Sequence, residues 1–118
     1  MRTNSIIAAS IAALGLVLSV SMPVTVARAA DVTEAQVASA RTASDHEAIA
    51  ASYDADAKAA DENAAEHVAM AKAYRGLDQK GGASMASHCN RLVEQYRAAA
   101  KEYRSLAAEH REMAKIAK

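Results

Sequence analysis

Ser87 to Met113 reads SHCNRLVEQYRAAAKEYRSLAAEHREM. It contains no glycine and no proline, and its large apolar and aromatic residues recur in steps of three and four. Cys89, Leu92, Tyr96, Ala99, Tyr103, Leu106, His110, Met113 and Ala117 form one stripe on a helix of this period. An earlier stretch repeats the pattern. Displaced by 43 positions, His46 falls on Cys89, Tyr53 on Tyr96, Lys58 on Lys101, Glu66-His67 on Glu109-His110, and Met70-Ala71-Lys72 on Met113-Ala114-Lys115. The first copy has its own stripe through Tyr53, Ala57, Ala60, Ala64, His67, Ala71 and Tyr74, with His46 and Ile49 joining through a stutter. Two similar amphipathic helices joined by a short connection predict an all-α antiparallel helical hairpin.

The punctuation between the copies sets the boundaries. Ser44 with Glu47 suits a helix start, and Gly76, preceded by Lys72 and Arg75, suits a helix end where positive charge meets the dipole. Gly81-Gly82 closes the connection and Ser84 can cap the second helix. The reading is a helix over 44–75, a loop over 76–83 and a helix over 84–117. Residues 30–43 read as a frayed arm or a weak helical extension, in which Thr33-Glu34-Ala35-Gln36 matches a capping box.

The beginning of the chain belongs to another category. Arg2 precedes an apolar run from Ile6 to Val20. Pro23 and the small residues around Arg28 follow, giving Ala27-Arg28-Ala29. This is the layout of a secretory signal peptide over 1–29, cut after Ala29. The run is shorter than the ~20 residues a spanning helix needs, so an uncleaved anchor fits less well. The expectation is a periplasmic or secreted protein with no stable membrane insertion after cleavage.

Charge narrows the partners. From Ala30 to Gly76 there are nine acidic and four basic residues, net −5; from Leu77 onward there are five acidic and eight basic, net +3. The sum, −2, lacks the basic surplus of a nucleic-acid binder. The opposite signs of the halves favour antiparallel pairing, with Glu66–Arg91 and Asp45–Arg111 as expected contacts. Phe and Trp are absent, and alanine dominates. Such a chain buries little apolar area per residue, so the hairpin is expected to pair with a second copy as a four-helix bundle.

In an antiparallel hairpin, facing residues lie symmetrically about one point. His46 with His110, Tyr53 with Tyr103, Ala60 with Tyr96, and His67 with Cys89 all centre on Asp78, inside the loop. This register suggests a metal site of His67, Met70, His88 and Cys89 near the loop. Imidazole, thioether and thiolate donors together suit Cu(I) or Zn(II). A second, weaker set is His46, His110 and Met113, ~31 Å away at 1.5 Å per residue. The alternative is structural. Histidine on a helical seam can fix register, and cysteine often behaves as a small buried hydrophobe. A lone cysteine in an exported chain also admits a Cys89-linked, redox-sensitive dimer. No nucleophile–base set, phosphate loop or paired-carboxylate cleft is legible, so no enzyme is expected and no catalytic residue is assigned.

The motif Ser87-His88-Cys89, then Tyr96, then His110-Arg111-Glu112-Met113-Ala114, with its earlier copy ending His67-x-x-Met70-Ala71, resembles short exported bacterial helical-hairpin proteins. The resemblance covers Asp45 to Lys115. It implies a fold and carries no activity. In general shape the chain is also similar to periplasmic helical-hairpin metal-stress proteins, without a diagnostic motif of theirs.

Overall fold

The computed structural model describes residues 31–77 and 80–118. The expected signal peptide and the expected symmetry point at Asp78 lie outside these residues. Among the described residues three helices follow in order: α1 over Glu34–Ser39, α2 over Ala43–Arg75 and α3 over Gly82–Ile116. The last two are long and pack against each other antiparallel, so the chain is an all-α helical hairpin. Among the described residues, no helix is long and apolar enough to cross a membrane.

The N-terminal arm is more ordered than composition suggests. The Thr33 capping box forms: the Gln36 amide donates to Thr33 Oγ1 at 3.2 Å, and the Thr33 amide donates to Gln36 Oε1 at 2.8 Å. The resulting helix, α1, is six residues long. A second capping box starts α2, at Thr42 and Asp45 rather than at Ser44 and Glu47. Here the Asp45 amide donates to Thr42 Oγ1, while Asp45 Oδ2 accepts from the amides of Thr42 and Arg41 at 2.9 and 3.0 Å. One carboxylate thus collects two backbone donors, which a Ser44 cap would not achieve.

Gly76 is the C-cap of α2, as the basic residues before it suggest. The start of α3 lies two residues earlier than Ser84. Gly81 occupies the cap with φ +104, a left-handed conformation that disfavours any side chain. Gly82 is already helical and buried, and a Cβ there would meet the Tyr74 carbonyl oxygen at 2.6 Å. The connection is therefore tightened by close backbone approach.

The interface between α2 and α3 is made mostly of alanine. Ala50, Ala57, Ala64 and Ala71 form a buried row on α2, and Ala86, Val93, Ala100, Ala107 and Ala114 form its counterpart on α3. Both rows repeat every seven residues. The expected α2 stripe contains Ala57, Ala64 and Ala71 of its alanine row but not Ala50. The expected α3 stripe contains none of its row: Leu92, Leu106 and Met113 are 36%, 37% and 43% exposed, while the buried row lies one residue beyond them. Small side chains let the helix backbones approach closely, and at that spacing leucine and methionine do not fit between them. They are displaced to the side.

Ion pairs cross the hairpin from acidic α2 to basic α3, between different partners from those expected. Arg104 binds Asp61, and Arg111 binds Asp54 and lies 3.9 Å from Glu47. Asp45 is committed to its cap, and Arg91 turns to its own helix, donating to Ser87 Oγ and His88 Nδ1. These pairs are exposed, so each is worth less than about 1 kcal/mol.

Candidate functional site

Beside the alanine rows runs a second pair of rows carrying the rings. On α2 it holds His46, Tyr53, Ala60, His67 and Tyr74; on α3 it holds Cys89, Tyr96, Tyr103 and His110. Tyr53 stacks on Tyr103, with centroids 6.2 Å apart, and also contacts His110 at 5.8 Å. His67 contacts Tyr96 at 5.3 Å. A groove of about 390 Å³ opens along this side, lined by Asp56, Ala60, Asn63, Tyr96, Ala99 and Tyr103, and Asp31 of the arm reaches its rim.

The four residues expected near the loop occupy different environments. Cys89 is 5% exposed and packs with Ala71 and Ala86, with Tyr74 alongside. His67 donates from Nδ1 to the Asn63 carbonyl at 2.8 Å, which leaves its lone pair on Nε2. His88 is exposed and accepts from Arg91 Nη2 at 2.7 Å, so a guanidinium already occupies its Nδ1. Met70 is 43% exposed. The ring contact of His67 is with Tyr96, and Ala71 packs beside the thiol.

The far set fares differently. His46 and His110 are 64 positions apart in sequence, and their Nδ1 atoms are 3.1 Å apart. Among the described residues, His110 is the buried polar residue of the core, 7% exposed, whereas His46 is half-buried. Burial, reinforced by the neighbouring His46, lowers the His110 pKa below the ordinary histidine value, against a smaller opposing effect of Glu109. With both rings neutral, the one that carries Nδ1–H donates to the other. Met113, the third member, is 43% exposed on the outer row. Among the described residues, no group of three or more histidine, cysteine, aspartate or glutamate side chains is placed to hold a metal ion.

The sequence reading missed one feature that bears on function: the outward row. Met85, Leu92, Ala99, Leu106 and Met113 repeat every seven residues along α3, next to the ring row and on the side of the groove. All but Ala99 are among the exposed large hydrophobic residues. The matching spacing of alanines, from Ala86 to Ala114 and from Ala50 to Ala71, was the signal that separates inner from outer rows.

No family model matches the chain, no curated protein is similar to it, and no solved structure matches its fold.

Proposed function

We propose that this chain is an exported, non-enzymatic interaction module that pairs with a second copy of itself, ring face to ring face, as a four-helix bundle. One observation carries the reading. The side of the hairpin that holds the rings and the groove is nearly free of charge. On α3 the rows from Met85 to Met113 and from Cys89 to His110 contain no charged residue, in a chain that is 24% charged. On α2 the corresponding rows contain one, Asp56.

The energetics favour a covered face. The most completely buried side chains, Ala50, Ala57, Ala71, Ala100 and Ala107, contribute little apolar area each. Leucine and methionine, which contribute about 1.5–3 kcal/mol when fully buried, are left on the surface. A regular apolar row beside half-buried rings has the anatomy of an interface. Charge selects the second copy as occupant. Acidic α2 of one hairpin lies across basic α3 of the other when two copies pair antiparallel, repeating the complementarity within each hairpin. The buried position of Cys89 favours noncovalent pairing over a Cys89-linked dimer.

Sedimentation equilibrium of the chain from Ala30 onward tests this. The expected result is a dimer that becomes monomeric in the double variant Leu92→Lys/Leu106→Lys with helicity retained. Val68→Lys, off the ring face, should leave the dimer intact. A monomer at tens of micromolar, or a dimer indifferent to Leu92→Lys/Leu106→Lys, would overturn it.

A further inference from the structure

We propose that the groove lined by Tyr96 and Tyr103 is a socket for a flat aromatic ring carrying a positive charge, the ligand being a small organic cation. The α2 ring row shows why a ring fits. Every seventh residue from His46 to Tyr74 carries a ring, except Ala60. Tyr53 lies against both Tyr103 and His110, with centroids 6.2 and 5.8 Å away. Seven residues further on, Ala60 stands in the corresponding place against Tyr96 and Tyr103, and all three line the groove. The outer row of α3 is interrupted at the same level, where Ala99 lies between Leu92 and Leu106. Two alanines, one on each helix, open the groove where both rows lack a large side chain.

Size, walls and charge then specify the occupant. The groove holds about 390 Å³. An apolar cavity of about 150 Å³ already takes benzene, so a ring with a substituent fits, and the volume is that of small-molecule sites. A ring beside Ala60 would meet the two tyrosines much as Tyr53 meets its own two neighbours, at the separation of favourable aromatic contacts. Tyrosine faces also attract a cation within about 6 Å of the ring centre.

The polar part of the lining selects the sign of charge. It consists of Asp31, Asp56 and Asn63, with no basic side chain among the described residues. Asp56 already has an interaction of its own, so Asp31, exposed at the rim, is the carboxylate assigned to the incoming charge. A neutral ring gains the stacking and not the charge, and an anion is repelled. The socket is built by a single hairpin, so it does not depend on the pairing proposed above.

Calorimetric titration of benzyltrimethylammonium into the chain from Ala30 onward tests the socket, with benzyl alcohol and benzoate as the neutral and anionic comparisons. The expected result is one cation per chain with a dissociation constant of about a millimolar or tighter. Benzyl alcohol should bind about fivefold more weakly or worse, and benzoate not at all. Tyr96→Leu should weaken the cation by about fivefold or more. Ala60→Tyr supplies the ring from the chain itself, so it should abolish binding and raise the unfolding temperature. Ala99→Leu completes the outer row and fills the groove from the other helix; it should abolish binding with helicity retained. Cys89→Ser, outside the groove, should bind as the parent does. Leu92→Gln/Leu106→Gln uncovers the face without adding charge, and binding by this variant alone would support a socket that a second copy covers. Absence of binding at about ten millimolar in both the parent and Leu92→Gln/Leu106→Gln would overturn the proposal. So would equal affinity for the cation and benzyl alcohol, or an affinity that neither Tyr96→Leu nor Ala99→Leu changes.

Discussion

The rings of Tyr53 and Tyr103 stack across the hairpin with planes 23° from parallel. They are 50 residues apart in sequence, so the contact reports register directly. Offset aromatic pairs contribute about 0.5–1.5 kcal/mol beyond the area they bury. In a double-mutant cycle, Tyr53→Ala and Tyr103→Ala should show a coupling of about that size in urea unfolding. Tyr53→Phe should retain most of it, because the ring and not the hydroxyl makes the contact. A coupling near zero would mean that the stack does not hold register in solution.

Much of this was legible beforehand, and the reason is periodicity. The repeat of His46-to-Met70 in Cys89-to-Met113 gives two helices, and symmetry about the loop gives His46 with His110 and Tyr53 with Tyr103. What eluded the reading is depth. Hydrophobicity ranks leucine and methionine above alanine, so periodicity alone places Leu92, Leu106 and Met113 in the α3 stripe. The helices instead approach through alanine, because shape decides which residues fit when backbones come close. The loop side departs from strict one-to-one pairing for a related reason. A register rule pairs residues on a line, whereas interleaved rings place His67 against Tyr96 and leave Cys89 to the alanines.

Ala100 provides the matching test of close approach. It is fully buried in the centre of α3, facing the α2 alanine row. Ala100→Leu adds three heavy atoms where the helices have no room, and overpacking of this kind costs about 1–3 kcal/mol. Ala98→Leu, on an exposed position of the same turn, should change stability by less than about 0.5 kcal/mol. Chemical denaturation of the two variants compares them directly. Equal stabilities would show that the helices separate easily at Ala100.

Acidification should weaken the hairpin in two windows. His110 has a folded pKa below its unfolded value of about 6.5, since burial and His46 oppose its charge. Above about pH 6.5 both states are neutral and stability is complete; as pH falls further, the unfolded chain takes the proton first and stability declines until the folded pKa is passed. The step should vanish in His110→Gln. Asp45 acts lower down. Its pKa is held at about 2 by the amides of Arg41 and Thr42. Its contribution is intact above about pH 4 and is lost as pH falls toward 2. Amide exchange at the start of α2 should accelerate there, and an unchanged rate would count against the capping box.

Gly76 and Gly82 flank the same connection, yet alanine at each should act with opposite sign. At Gly76 the backbone is right-handed, φ −78, and a Cβ would sit 3.4 Å from the Ala73 carbonyl oxygen, within ordinary contact. Gly76→Ala should stabilise by about 0.5 kcal/mol, because the unfolded chain loses freedom that the fold does not use. At Gly82 alanine gains up to about 1 kcal/mol of helix propensity. Against that stands a 2.6 Å clash with the Tyr74 carbonyl oxygen, which is backbone and cannot rotate aside. Relief requires the end of α2 and the start of α3 to move apart, at a cost of about 1–3 kcal/mol. The clash outweighs propensity, so Gly82→Ala should destabilise while Gly76→Ala does not. Thermal unfolding of both variants decides the matter, and a stabilised Gly82→Ala would show that the two helix ends do not approach as closely as the geometry requires.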